Sequence, residues 1–122
     1  MKKVVVIASS PRKKGNSNAL VREFVRGAQE KGHQVEVIRL TGKHMEFCCG
    51  CMSCNHTAAC VIDDDVKEIL AVMQSADVLA FATPVYYYSL SGQLKTFLDR
   101  VNPLYGKEVG AKDVYFMASA LD

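Results

Sequence analysis

The chain has no tryptophan, no apolar run long enough to span a bilayer, and no cysteine outside residues 48–60. Each absence narrows the reading. A membrane-crossing helix needs about 20 apolar residues, so a membrane span is not expected. The start "MKK" is basic, but the "VVVIA" that follows is too short for the core of a signal peptide, and no small-residue cleavage site comes after it. A cytoplasmic address is therefore expected, where thiols stay reduced. The cysteine count is five, an odd number, which argues further against a disulfide framework. Charge of one sign is also lacking. The net charge is +2, and the only dense basic spot is "PRKK" at 11–14. Neither nucleic acid nor an acidic membrane surface is an expected partner. No internal repeat, low-complexity tract or linker breaks the 122 residues, so one domain over 1–122 is expected.

Four short apolar runs are present: "KVVVIA" (3–8), "VEVIRL" (35–40), "VLAFAT" (78–83) and "VYFMAS" (114–119). They are rich in β-branched and aromatic residues, and three are nearly continuous, as suits strands buried on both faces of a parallel sheet. Only "VEVIRL" partly alternates, as an outer strand would. Helical patterns lie between them. In 18–32, Leu20, Val21, Phe24, Val25 and Ala28 form a stripe that Gly32 stops. In 63–76, Val66, Ile69, Leu70 and Met73 form another, with Asp63 or Asp64 as N-cap. In 89–102, Leu90, Leu94, Phe97, Leu98 and Val101 form the third. The order βαβαβαβ predicts an α/β fold with a doubly wound parallel sheet and right-handed crossovers. A flavodoxin-like sheet has five strands. Here the sequence stops after the fourth, so either the chain is a fragment or a partner subunit completes the sheet.

Ligands of such sheets sit beyond the carboxyl ends of the strands. After the first strand comes "SSPRKKGNSN" (9–18), leading into a helix N-terminus that favours an anion. It matches neither G-x-x-x-x-G-K-[ST] nor G-x-G-x-x-G. A phosphomonoester held by hydroxyls, amides and the fork of Arg12 fits this loop. So does a plain polar turn capped by Asn16 or Ser17. After the third strand comes "TPVYYYSLSG" (83–92), whose tyrosines offer flat walls to an aromatic ring. Packing between loop and helix, with Ser89 or Ser91 as cap, is the alternative. After the fourth strand, Ser119 and Ala120 are small enough for a ring to approach the backbone. Together the three loops describe a phosphate joined to a planar ring, which is the shape of FMN.

"SSPRKKGNSN" and "ATPVYYYSLSGQLKTFLDR" resemble, as a pair, the S-P-R-x-x-G-N-[ST] and T-P-x-Y…K-x-F-x-D-R segments of the flavodoxin-like NAD(P)H-dependent FMN reductase family. The resemblance runs over essentially the whole chain. It implies a flavodoxin-like FMN-binding domain over 1–122. The phosphate would rest on Ser10, Arg12, Asn16, Ser17 and Asn18, and the flavin ring on Pro84, Val85, Tyr86, Tyr87 and Tyr88, with Ser119 nearby. It also implies hydride transfer from NAD(P)H to the flavin and on to a small-molecule or protein acceptor, in a homodimer or homotetramer. The cofactor carries that chemistry, so no protein acid or base is expected. Lys95, Asp99 and Arg100 stand at ion-pairing spacing and receive no chemical role.

The cysteines remain. Cys48, Cys51, Cys54 and Cys60 read C-x2-C-x2-C-x5-C, with Cys49 left over. Four thiolates at such spacing suit a [4Fe-4S] cluster. They also suit zinc, with His56 able to replace one ligand. The motif is similar to the compact cysteine motif of iron–sulfur flavoproteins, a branch of the same family. A lid of free thiols, packed as small hydrophobes, is the third reading. His33 and His44 read as surface residues.

Overall fold

A computed structural model describes residues 1–120. Strands β1 (Lys3–Ala8), β2 (Gln34–Arg39), β3 (Val78–Tyr86) and β5 (Asp113–Ser119) form a parallel sheet in the order β2-β1-β3-β5. A two-residue strand β4 (Ser89–Leu90) folds back antiparallel onto Val85 and Tyr86 of β3. Helices α1 (Asn16–Glu30), α3 (Val66–Gln74) and α4 (Gly92–Asp99) are the crossovers, and α2 is a short turn at Cys54–Thr57. This is the flavodoxin-like arrangement, with β2 at one rim and β5 at the other. The partly alternating β2 is an outer strand, as its pattern implies.

The nearly continuous apolar runs bury both faces of the central strands. Val4, Val6 and Ala8 of β1 face α1 through Val21, with Phe24 and Val25 packed alongside. Val5 and Ile7 face the opposite core, built with Ile69, Leu70 and Met73 of α3 and Leu94 and Phe97 of α4. The α1 stripe is only partly sealed, since Leu20 is exposed. Gly32 ends α1 as its spacing implies. It sits at φ +82° and donates to Gln29 O at 2.9 Å, while His33 N donates to Ala28 O at 3.1 Å. This left-handed turn satisfies two carbonyls at the helix end.

Two local expectations change. Residues 89–91 are not helical. Ser89 and Leu90 pair with β3, and α4 begins at Gly92 behind Ser91, whose Oγ accepts from Leu94 N. The turn between β3 and β4 places Tyr87 and Tyr88 at φ 45° and 68°. Two central residues at positive φ are what a two-residue hairpin turn requires, a geometry glycine and asparagine usually supply. The second change is the start of α3, which is Val66. Neither Asp63 nor Asp64 occupies its N-cap position. Asp64 lies two residues ahead of Val66, accepts from Val66 N at 3.1 Å, and also accepts from Glu46 N and from Arg100. At the far rim Val114, Tyr115 and Phe116 of β5 are more than half exposed. Phe116 stacks on Phe81, and Tyr115 meets Phe24 edge-on. No helix among the described residues is long and apolar enough to cross a membrane.

Candidate flavin site and cysteine loop

The carboxyl ends of β1, β3 and β5 open onto one cavity of about 230 Å³. The loop after β1 contributes Ser10, Arg12, Gly15, Asn16 and Ser17, the end of β3 contributes Pro84, Val85 and Tyr86, and β5 contributes Ser119. Eight of the residues expected around the ligand thus line one space: Ser10, Arg12, Asn16, Ser17, Pro84, Val85, Tyr86 and Ser119.

One end of it is built from an uncapped helix. Gly15 holds the N-cap position of α1 in extended geometry and supplies no side-chain cap. The first-turn N–H groups of a helix have no carbonyl partner within it, so here they face the cavity with the positive end of the helix dipole. Ser17 Oγ is buried and lacks any hydrogen-bond partner. A buried hydroxyl is ordinarily satisfied. An anion seated on these N–H groups would satisfy it, so the residues present fit the phosphate of FMN. Gly15 matters by its size, because a Cβ there would lie 3.2 Å from Arg12 Cβ and 3.3 Å from Arg12 O.

Three expected residues stand outside the cavity lining. Asn18 is buried, and both of its polar groups are used: Nδ2 donates to Arg12 O at 2.7 Å, and Oδ1 accepts from Arg39 Nη1 at 2.8 Å. It shapes the loop from behind. Tyr87 and Tyr88 project from the hairpin tip, 93% and 92% exposed, in an edge-to-face pair.

Sequence reasoning missed the network that holds the two loops together. Ser91 Oγ donates to Ser9 Oγ at 2.9 Å, Ser9 Oγ donates to Ala82 O at 3.0 Å, and Ser91 N donates to Thr83 Oγ1 at 2.9 Å. Ser9, Thr83 and Ser91 are all buried. The helix cap of α4 is thereby bonded to both loops of the cavity. Buried hydroxyls bonded to one another rigidify what they join. The only advance signal is that these small hydroxyl residues sit at the strand ends.

The cysteine loop is fixed differently. Arg100, 2% exposed, donates Nη1 to Asp64 Oδ2 at 2.7 Å and Nη2 to Asp64 Oδ1 at 3.0 Å. Nη1 also donates to Glu46 O at 2.9 Å, and Glu46 N donates to Asp64 Oδ2 at 2.8 Å. His44 N donates to Asp65 Oδ2 at 2.6 Å. The guanidinium hydrogen bonds lower the Asp64 carboxyl from 3.8 to about 2. Lys95 and Asp99 pair with each other along α4, while Arg100 serves this second, buried pair. These bonds clamp both approaches to the loop. Between them the thiols are free: Cys48, Cys49 and Cys51 are exposed, and Cys54 and Cys60 are half-buried. Cys51 is lowered from the usual thiol range, chiefly by a backbone hydrogen bond from Ser53.

Cys48, Cys54 and Cys60 line one cavity of about 250 Å³ with Arg100, Asn102 and Pro103, whereas Cys51 lies outside that lining. Asn102 Nδ2 donates to Cys54 Sγ at 3.0 Å. Arg100 Nε is buried without a partner. Among the described residues no three His, Cys, Asp or Glu side chains stand together as a ready metal site. The donor set fits a thiolate-held cluster in its chemistry, and three of its four thiols, Cys48, Cys54 and Cys60, share one cavity. The sulfurs are not drawn onto one centre.

Known proteins extend this picture. A 43% identical relative over 102 residues is an iron-sulfur flavoprotein of Methanocaldococcus jannaschii, and the match takes in 84% of this chain and 53% of that one. An iron-sulfur flavoprotein of Archaeoglobus fulgidus is 34% identical over 113 residues, covering 93% of this chain and 51% of that one. The chain thus spans about half the length of the curated relatives it matches. In fold it is similar to an NAD(P)H:quinone oxidoreductase from Methanothermobacter marburgensis, with TM-score 0.83 and 24% identity over 98% of this chain and 65% of that one. Flavodoxin-like topology, an anion-ready loop and a match over residues 2–121 to the family model described as NADPH-dependent FMN reductase lead to one assignment: the chain belongs to that family.

Proposed function

We propose that the chain is the flavin-binding part of an FMN-dependent oxidoreductase. It would take hydride from NAD(P)H and pass electrons to a small-molecule or protein acceptor. One observation carries the reading: the partnerless, buried Ser17 Oγ beside the uncapped start of α1. FMN, when bound, supplies the redox chemistry.

The chain's own residues bind and orient. Ser10, Arg12, Asn16 and Ser17 would hold the phosphate, with the first-turn N–H groups of α1. Pro84, Val85, Tyr86 and Ser119 would flank the ring edge. Tyr87 and Tyr88 would meet whatever lies beyond it. The cavity of about 230 Å³ is smaller than the 300–1,000 Å³ typical of ligand sites. It therefore covers part of the cofactor, and a second surface would cover the rest, which supports a homodimer or homotetramer with the flavin near the interface. A domain over 1–122 in the cytoplasm completes the proposal.

A second reading rests on the cysteine loop and on the names of its relatives. In it the protein is an electron carrier between FMN and a [4Fe-4S] cluster on Cys48, Cys51, Cys54 and Cys60, with Cys49 left out. Anaerobic purification with optical titration separates the two. Flavin bands bleached by NADPH or NADH support the oxidoreductase. Flavin that resists both nucleotides, together with about four iron and four sulfide per chain, supports the carrier. Failure to take up FMN after reconstitution would overturn both.

A further inference from the structure

The segment that closes α4 points its donors at the cysteine cavity. Arg100 and Asn102 lie two residues apart, on either side of Val101, and both line that cavity with Cys48, Cys54 and Cys60. Asn102 Nδ2 reaches Cys54 Sγ at 3.0 Å and Asn55 Oδ1 at 2.8 Å. Arg100 is fixed by two bonds to Asp64 and one to Glu46 O, all made through its terminal nitrogens. That leaves Nε–H, which is buried and unpartnered. Cys60 lines the same cavity as this guanidinium. An N–H buried without an acceptor is destabilising, and in a native structure it calls for a reason, such as a bound group that accepts it.

We propose that Arg100 and Asn102 are positioning residues of the cysteine site: Asn102 donates to the sulfur of Cys54, and Arg100 Nε, which no atom of the chain accepts, donates to a sulfur of the loaded site, so that the segment after α4 sets the potential of a thiolate-held iron–sulfur cluster. The inference rests on the cluster reading above. Hydrogen bonds to cluster sulfurs stabilise the more negative, reduced state and so raise the reduction potential. The same two side chains join the cluster loop to α4, whose N-terminal cap is bonded to the flavin loops through Ser91. One helix therefore links the supports of both sites.

The test uses the full chain, FMN-loaded and reconstituted anaerobically with iron and sulfide. Iron content per chain and the midpoint potential, followed by electron paramagnetic resonance, are measured for the wild type, Asn102→Leu, Asn102→Asp, Arg100→Lys and Asn55→Ala. Asn102→Leu is expected to keep its iron and shift to a more negative potential. Asn102→Asp, which puts a carboxylate where a donor stood, is expected to shift further the same way. Arg100→Lys keeps the charge beside Asp64 but loses Nε–H, and its potential is expected to fall. If that variant does not fold, the Asn102 pair decides. Asn55→Ala removes the other partner of Asn102 and is expected to leave the potential unchanged. Wild-type potentials in both Asn102 variants, with iron bound, would overturn the inference and leave the cluster reading standing. A shift in Asn55→Ala equal to that in Asn102→Leu would overturn it too, because the bond to the sulfur would then not be the cause. Absence of iron from the wild type would sink the cluster reading itself.

Discussion

The loop after β1 and the loop after β2 are both candidate ligand loops at the same end of one sheet, yet they are held in opposite ways. The first, residues 9–18, is supported along its length. Ser9 is bonded to β3 and Ser91, Ser10 Oγ accepts from Arg12 N at 3.2 Å, and Asn18 pins the Arg12 carbonyl from inside. The second is clamped near its ends, by Asp64 and Asp65 on Glu46 and His44 and by Arg100 across both. Its sulfurs between those clamps are open or half-open. A preformed cradle suits a ligand bound through fixed N–H groups, which gain most when they need not reorganise. A clamped but open loop suits a group whose own bonds gather the ligands.

The strongest way to break this contrast is to cut the clamp. Removing one partner of a buried ion pair leaves an uncompensated charge and costs about 3–5 kcal/mol. Asp64→Asn and Arg100→Met are each expected to lower stability by that order, read as the midpoint of urea unfolding. A loss under about 1 kcal/mol would mean the pair is wetter than its burial implies. The clamp also sets an acid limit. Asp64 titrates lower when folded than unfolded, so its contribution is complete above about pH 4 and is lost as pH falls towards 2. The Asp64→Asn variant should lack that part of the acid dependence.

A smaller effect sharpens the other side of the comparison. Ser17→Ala removes one hydroxyl from a cradle that is otherwise fixed. A hydrogen bond to a charged group is worth about 1.5–3 kcal/mol, so FMN affinity should fall on the order of tenfold to a hundredfold. Riboflavin, which lacks the phosphate, should bind both proteins alike in a flavin fluorescence titration. Equal losses for both ligands would place Ser17 away from the phosphate.

The smallest expected change is at the hairpin tip. Tyr88 holds φ 68°, a region that costs a non-glycine residue about 1–2 kcal/mol. Because it is 92% exposed, little packing is lost on its removal. Tyr88→Gly should raise stability by about 1 kcal/mol, seen as a higher Tm. A lower Tm would show that the pair with Tyr87 outweighs the strain.

Much of this was legible in advance where the cause is local. Continuous apolar runs mark strands buried on both faces, and the partial alternation of "VEVIRL" marks a rim strand. Gly32 stops α1 because the left-handed turn there needs no side chain. The start of α4 was misplaced because Leu90 fits a helical stripe as well as it fits β4. The amide of Asn18 suits phosphate by residue type, and only the folded chain shows its NH2 group on the Arg12 carbonyl and its oxygen on Arg39.

The sequence by itself determined the order of the four parallel strands and their three crossover helices and the chemical character of each loop. Those follow from side-chain periodicity and from which groups can bind an anion or a soft metal. Only the tertiary structure decided which side chains are spent as supports. Ser9 and Ser91 are 82 positions apart, and Arg100 and Asp64 are 36 apart. No local pattern links such residues. They meet because parallel strands bring their carboxyl ends together, and burial then obliges each polar group to find a partner.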